Sequence, residues 1–231
     1  FYTVGYSSDV YAVTSLLYMY SPASGKLQKI IPPPQMPIGF GSAIIADQQG
    51  HLYISQGFMI AGHPEATAGT GWYRYDINTG QWHQLASLPL GLGYIILAPD
   101  NHGGILMLTG SHDAGQHEPT SQIYRYDITQ NTWRLEQATS PSALSGTASC
   151  LDQHGHIVII GGYDPIHNVT LAQTWLVNLQ TLQWQPLPPL PQGGSFLGAA
   201  ACDGKGHVYL VRGANNLARP TTDFLILTLP S

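Results

Sequence analysis

One module, copied in tandem, constrains this 231-residue chain more than any other feature. Tyr75-Asp76-Ile77-Asn78-Thr79-Gly80-Gln81-Trp82 returns as Tyr126-Asp127-Ile128-Thr129-Gln130-Asn131-Thr132-Trp133. A third copy runs from Val177-Asn178 to Trp184, and a degenerate one from Tyr20-Ser21 to Leu27. The final residues of the four copies lie 55, 51 and 51 positions apart. Three more landmarks keep this register. Gly57, Gly110, Gly162 and Gly213 each follow a short apolar run; Gly41, Gly93, Gly146 and Gly198 form a second series; Asp47, Asp100, Asp152 and Asp203 form a third. A unit this small cannot bury its own apolar face, so successive copies must stack on one another.

Each unit reads as four short strands, a to d. Strand a follows the Gly41-type glycine, strand b is the apolar run, strand c carries Tyr-Asp or its equivalent, and strand d holds the Trp. Asp, Asn, Gly and His between a and b supply turn chemistry. In the c–d turn, Ser21, Asp76, Asp127 and Asn178 can each accept from backbone amides two residues on. Gly25, Gly80, Asn131 and Leu182 follow four residues later, where positive φ is expected; Leu182 should be the strained copy. Composition agrees: 26 Gly, 17 Pro and 13 Tyr suit strands and turns. Only 9% of residues are charged, and the eight Lys and Arg are scattered, which excludes nucleic acid as a partner. A 43% hydrophobic content excludes disorder. No apolar stretch is long enough to cross a membrane. The opening at Phe1, without a Met or a signal-like segment, suggests a processed or trimmed piece.

The period, the strand ending in Gly-Gly and the Tyr-Asp followed by Trp resemble the kelch repeat. The best copy is His156-Ile157-Val158-Ile159-Ile160-Gly161-Gly162-Tyr163 with Asn178 to Trp184. The resemblance covers essentially the whole chain and implies an all-β fold, a β-propeller of four-stranded blades around a central channel. The doublet is intact only at Gly161-Gly162; elsewhere it reads Gly5-Tyr6, Gln56-Gly57, Thr109-Gly110 and Arg212-Gly213. The Arg that many kelch repeats carry before strand a is absent. Residues 1–31 supply b, c and d; units at about 38–88, 90–137 and 142–188 are complete; residues 194–231 supply a, b and a last strand, Phe224-Leu225-Ile226-Leu227. Five blades are countable, two of them incomplete. Either they close into a five-bladed ring or they belong to a larger one. An open ring would expose edges and favour self-association.

Ten histidines invite a search for chemistry. His51, His102, His154, His156 and His207 recur at the a–b turn and read as turn residues. His63, His112, His117 and His167 lie in b–c loops with Glu65, Asp113, Glu118 and Asp164. Imidazole with carboxylate can ligate zinc, but no fixed short spacing supports a site. Solvated loop residues are the plainer reading, and no cofactor is expected. Cys150 and Cys202 hold matched strand-a positions, where Ile45 and Leu97 stand in other copies, and read as buried free thiols. That assignment leaves no Cys for copper chemistry of the galactose-oxidase kind. No nucleophile-elbow motif is present.

In kelch binding domains the resemblance places partner contacts after the strand-b Gly and before strand a. The first set is Tyr6, Phe58, Ser111, Tyr163 and Ala214; the second is Phe40, Leu92, Leu144 and Phe196. With Asp113 these form the candidate mouth site. Such a mouth is aromatic and apolar, suited to a protein or a small apolar or sugar-like ligand; equally, Phe40 and Phe196 could simply plug the channel. The leading expectation is a non-enzymatic recognition module, and the alternative is a carbohydrate-active enzyme of isomerase or oxidase type. Pro186-Leu187-Pro188-Pro189-Leu190-Pro191 matches Pro32-Pro33-Pro34-Gln35-Met36-Pro37 in position and reads as a d–a connection. Asn168-Val169-Thr170 is a glycosylation sequon in an exposed loop. Few Lys and Glu, with many Gln, Ser and Thr, lean towards an extracytoplasmic setting.

Overall fold

The computed structural model describes residues 2–9, 12–60, 63–100, 102–191, 193–215 and 219–229, with side chains from Ser15 onward. Among the described residues there are strands and no helix. Sheet 1 holds β1 (Tyr2–Asp9), β2 (Ala12–Ser21) and β3 (Lys26–Ile30). Sheet 2 holds β4 (Ile44–Ala46), β5 (His51–Gly57), β6 (Gly69–Asp76) and β7 (Trp82–Gln84). Sheet 3 holds β8 (Leu97–Pro99), β9 (Gly104–Met107), β10 (Thr120–Asp127) and β11 (Thr132–Leu144). Sheet 4 begins with β12 (Ala148–Leu151) and β13 (His156–Ile160). The hairpin β14 (Tyr163–Asp164) and β15 (Val169–Thr170) interrupts it before β16 (Thr174–Asn178) and β17 (Trp184–Leu187). Sheet 5 holds β18 (Ala199–Cys202), β19 (His207–Val211) and β20 (Phe224–Thr228). Within each sheet the strands are antiparallel neighbours in chain order. Among the described residues the sheets form an all-β propeller, three of them with four strands and two with three.

Register explains why the repeat keeps its aromatic residues. Across the c–d pair, Tyr75 faces Trp82, Tyr126 faces Trp133, Val177 faces Trp184, and Tyr20 faces Leu27. Ring centroids lie 4.9 Å apart in both Tyr–Trp pairs. The c–d turn behaves as its chemistry requires. Asp76 Oδ1 accepts from the amides of Asn78 and Thr79, and Asn178 Oδ1 from those of Gln180 and Thr181. Gly25, Gly80, Asn131 and Leu182 are all left-handed, at φ 64°, 72°, 51° and 56°.

Apolar side chains fill the spaces between consecutive sheets. Leu17 and Ile38 meet Leu52, Ile54 and Tyr73 between sheets 1 and 2. Tyr53 and Trp72 meet Ile105, Met107 and Tyr126 between sheets 2 and 3. Leu106, Leu108 and Ile123 meet Ile157, Ile159 and Val177 between sheets 3 and 4. Val158 and Ile160 meet Val208 and Leu210 between sheets 4 and 5. Among the described residues no such cluster joins sheet 5 to sheet 1. Val211, Phe224 and Ile226 on the far face of sheet 5 are more than half exposed, and Leu27 on sheet 1 is 64% exposed.

The cysteines correct the sequence expectation. Cys150 and Cys202 are not free thiols but a disulfide, with Cα atoms 5.5 Å apart. They lie on β12 and β18, the a strands of neighbouring sheets. These strands run side by side near the hub, so residues 52 positions apart in sequence become close neighbours.

Candidate functional site

The mouth is built by backbone before side chains enter. Phe40 and Phe58 exchange two N–H···O bonds of 3.1 and 2.9 Å, and Gly93 and Ser111 exchange two of 2.9 and 3.0 Å. Tyr163 N–H donates to Ser145 O and Ala214 N–H to Phe196 O, at 3.2 and 2.8 Å. Every bridge joins the residue before strand a to the residue after strand b. The strand-b glycine makes it possible: Gly57 and Gly213 have φ of 70° and 75°, and a Cβ there would stand 2.5 and 2.2 Å from the carbonyl oxygens of Phe40 and Phe196.

The next residue turns left-handed in four sheets, at Gly41, Tyr94, Gly146 and Leu197. The glycine landmark is therefore one residue off in two copies. Gly93 aligns with Phe40, and Tyr94 and Leu197 occupy the place of Gly41 and Gly146. Tyr94 N–H donates to Gly41 O and Leu197 N–H to Gly146 O, at 2.6 and 2.8 Å, tying adjacent sheets at the hub.

A cavity of about 310 Å³ opens at this face. Tyr94, Tyr163 and Phe196 give it aromatic walls, and Gln116, Asn168 and Asn215 give it amides. None of its lining side chains carries a fixed charge. Tyr163 and Phe196 sit with ring centroids 5.3 Å apart. Gln116 is 3% exposed, and its Oε1 accepts from Ser145 Oγ at 2.6 Å. The Tyr163 hydroxyl donates to Asn168 Oδ1, and the Tyr94 hydroxyl to Ala114 O. Seven described non-glycine residues have positive φ, and four of them line this cavity: Tyr94 (54°), Gln116 (61°), Asn168 (53°) and Leu197 (53°). Each costs about 1–2 kcal/mol in that conformation, less for Asn.

Of the residues expected at the mouth, Tyr163 and Phe196 line the cavity. Phe40 is half-buried against Phe58 and Tyr94, with centroids 5.0 and 6.4 Å away. Phe58, Leu92, Leu144 and Ser111 have no exposed surface. Leu92 and Leu144 precede the bridging residue by one and point into the cores instead. The side chain of Tyr6 lies outside the described residues; its backbone belongs to β1. Asp113 is a loop anchor. Its Oδ1 accepts from Glu118 N and Ser111 Oγ, its Oδ2 accepts from His117 N, and His117 Nδ1 lies 2.8 Å from Oδ2. Burial opposes its charge, yet these donors hold its carboxyl below the usual range.

The loop histidines do not converge. His63 pairs with Glu65, His117 with Asp113 and His167 with Asp164, while His112 lies against Gly91 O. Among the described residues no three metal-ligating side chains gather. At the a–b turns Asp47, Asp152 and Asp203 each accept backbone amides with Oδ1 and hold His51, His156 or His207 at Oδ2, at 2.7, 2.9 and 2.8 Å. In sheet 3 the histidine position is Gly104, and Arg125 donates to Asp100 Oδ2 instead, at 2.8 Å. Sequence reasoning missed Tyr94, Gln116, Leu197 and Asn215 as lining residues, and it read Asn168 only as a sequon. For Tyr94 and Leu197 the available signal was a side chain standing where other copies have glycine.

Comparison with known proteins agrees with the fold. Residues 153–191 match the Kelch motif. Kelch domain-containing protein 10 of Xenopus laevis is 29% identical over 178 residues, 70% of this chain and 42% of that protein. The Homo sapiens protein of the same name is 28% identical over 160 residues, 64% of this chain and 35% of that protein. N-acetylneuraminate epimerase of Vibrio cholerae is 25% identical over 137 residues, 57% of this chain and 33% of that protein. The chain thus spans well under half the length of the curated relatives it matches. The Kelch motif match, the tandem unit with its four-stranded sheets and these relatives together support a kelch-repeat family for the chain.

Proposed function

We propose that this chain is a recognition module whose ligand seats in the mouth cavity through a neutral, partly apolar group. A kelch propeller supports a binding role in general, since rigid sheets present many loops on one face. The finer reading rests on one observation: four strained, left-handed side chains surround one uncharged, aromatic-walled cavity. Strain of this kind persists where a site needs its geometry fixed in advance. A cavity of about 310 Å³ fits one sugar ring or one peptide side chain. Aromatic faces supply stacking area, and the amides supply donors and acceptors without charge.

The enzymatic alternative draws on the epimerase relatives. The histidines favour recognition, because His63, His117 and His167 each pair with a carboxylate of their own loop rather than with one another. Arrays of neutral glycans and of peptides, probed with wild type, Phe196→Ala and Tyr163→Ala, test the proposal. A captured ligand should bind at least about tenfold more weakly to both variants, the scale of one lost aromatic contact. A ligand held equally by all three proteins overturns the assignment to this cavity, and chemical conversion of a captured sugar supports the enzyme instead.

A further inference from the structure

We propose that the cavity between sheets 3 and 4, at the end of the propeller opposite the mouth, binds a small zwitterion of the α-amino-acid kind, with a free ammonium and a free carboxylate. Both sheets are complete and stand inside the row of five. The cavity measures about 700 Å³. Of the chain's 8 Lys and Arg and 13 Asp and Glu, five line it: Asp100, Arg125, Asp127, Arg134 and Glu136. A chain with so few charges has gathered them at one place.

The repeat explains neither the charges nor the space. Where sheets 2, 4 and 5 set a histidine on the turn aspartate, sheet 3 has Gly104, and a Cβ there would stand 2.5 Å from Asp100 Oδ2. Arg125 Nη1 donates to that oxygen at 2.8 Å, and its Nε donates to Glu136 Oε1 at 2.6 Å. The same Glu136 oxygen accepts from Arg134 Nε at 3.1 Å. Arg125 and Arg134 face each other directly across the c–d pair, and like charges so placed weaken a sheet. The same register holds Arg74 and His83 in sheet 2, and Leu176 and Gln185 in sheet 4. Packing therefore does not call for two arginines.

The groups left over define the ligand. Asp100 and Glu136 offset the two arginines, and Asp127 adds a further negative charge. Among the described residues Asp127 accepts only the Gln130 amide, through Oδ1, and Arg134, with its side chain 70% exposed, donates only through Nε. The Oδ2 of Asp127 and the Nη fork of Arg134 remain for a ligand. Asp127 lies opposite Thr132, so Arg134 is its diagonal neighbour on the same face, and such neighbours stand about 7–8 Å apart. An ammonium and a carboxylate on one carbon, each with a charge-assisted hydrogen bond of about 2.8 Å, span that gap. A free cation would meet Asp127 and be repelled by Arg134, and a free anion the reverse. The rest of the cavity leaves room for a side chain.

Isothermal titration calorimetry with the standard L-amino acids, and with the N-acetyl and C-amide derivatives of any that bind, is the test. At least one amino acid should bind at millimolar concentration or below, and blocking either end should weaken it at least about tenfold. Asp127→Asn should weaken the amino acid about tenfold and leave its N-acetyl derivative unchanged, and Arg134→Gln should do the same with the C-amide as reference. Both variants copy what sheet 4 carries in the same register, Asn178 and Gln185, and Asn178 Oδ1 holds its turn as Asp127 Oδ1 does, so the fold is kept. No binding by any amino acid at about 10 mM overturns the proposal. So does equal binding of the free and N-acetylated forms, or an affinity unchanged in either variant.

Discussion

Leu197 and Leu182 share a backbone conformation and differ in surroundings. Both are left-handed, at φ 53° and 56°, but Leu197 is 52% exposed and Leu182 only 6%. Glycine relieves about 1–2 kcal/mol of backbone strain and returns about half of that as chain entropy. At position 197 little else is lost, so Leu197→Gly should raise stability by up to about 1 kcal/mol. At position 182 the side chain packs between sheets 3 and 4, and its loss costs about 2–5 kcal/mol. Leu182→Gly should therefore lower the melting temperature while Leu197→Gly raises it, as paired thermal melts would show. The opposite order would mean that strain at the mouth is not what holds Leu197 there. Leu182 was legible in the sequence because it sits four residues after Asn178 in an unbroken register. Leu197 was hidden because Gly198, beside it, kept the spacing of the glycine series.

At the scale of the element, strand order followed from period and alternation, and the 18 strands counted in the sequence are those of the five sheets, with β14–β15 added. Pairing across sheets was less accessible. Cys150 and Cys202 occupy matched positions, but matching shows only equivalence, not proximity. Proximity comes from the hub, where a strands of adjacent sheets converge. The disulfide closes a loop of about 50 residues between sheets 4 and 5, which removes about 4 kcal/mol of chain entropy from the unfolded state. Reduction should lower the melting temperature, and β18–β20 should exchange amide hydrogens before β8–β11 does. Uniform exchange after reduction would show that packing alone holds sheet 5. The cavity at the mouth was half-legible. Tyr163 and Phe196 follow from the repeat, whereas Gln116 and Asn215 arrive from loops whose length differs from copy to copy.

Across the whole molecule, one carboxylate motif repeats from sheet to sheet. Burial opposes the charge of Asp47, Asp100 and Asp152, yet backbone amides and a His or Arg partner hold their carboxyls below the usual value. Backbone donation from His207, with Lys205 and the His207 ring, lowers Asp203 to about 2. A lowered folded pKa stabilises the native state above the unfolded value, near 3.9, and that contribution fades as pH falls through the folded value. Melting temperature should therefore begin to drop below about pH 4 and keep dropping towards pH 2, with Asp152→Asn showing a shallower fall. A melting temperature unchanged from pH 5 to pH 2 would remove these turns from the acid response. The core clusters carry a different consequence. Each is shared by two consecutive sheets, so a newly synthesised sheet needs only the one made just before it. Assembly can keep pace with translation from the first sheet to the last, and Cys202 emerges to find Cys150 already waiting on a finished neighbour.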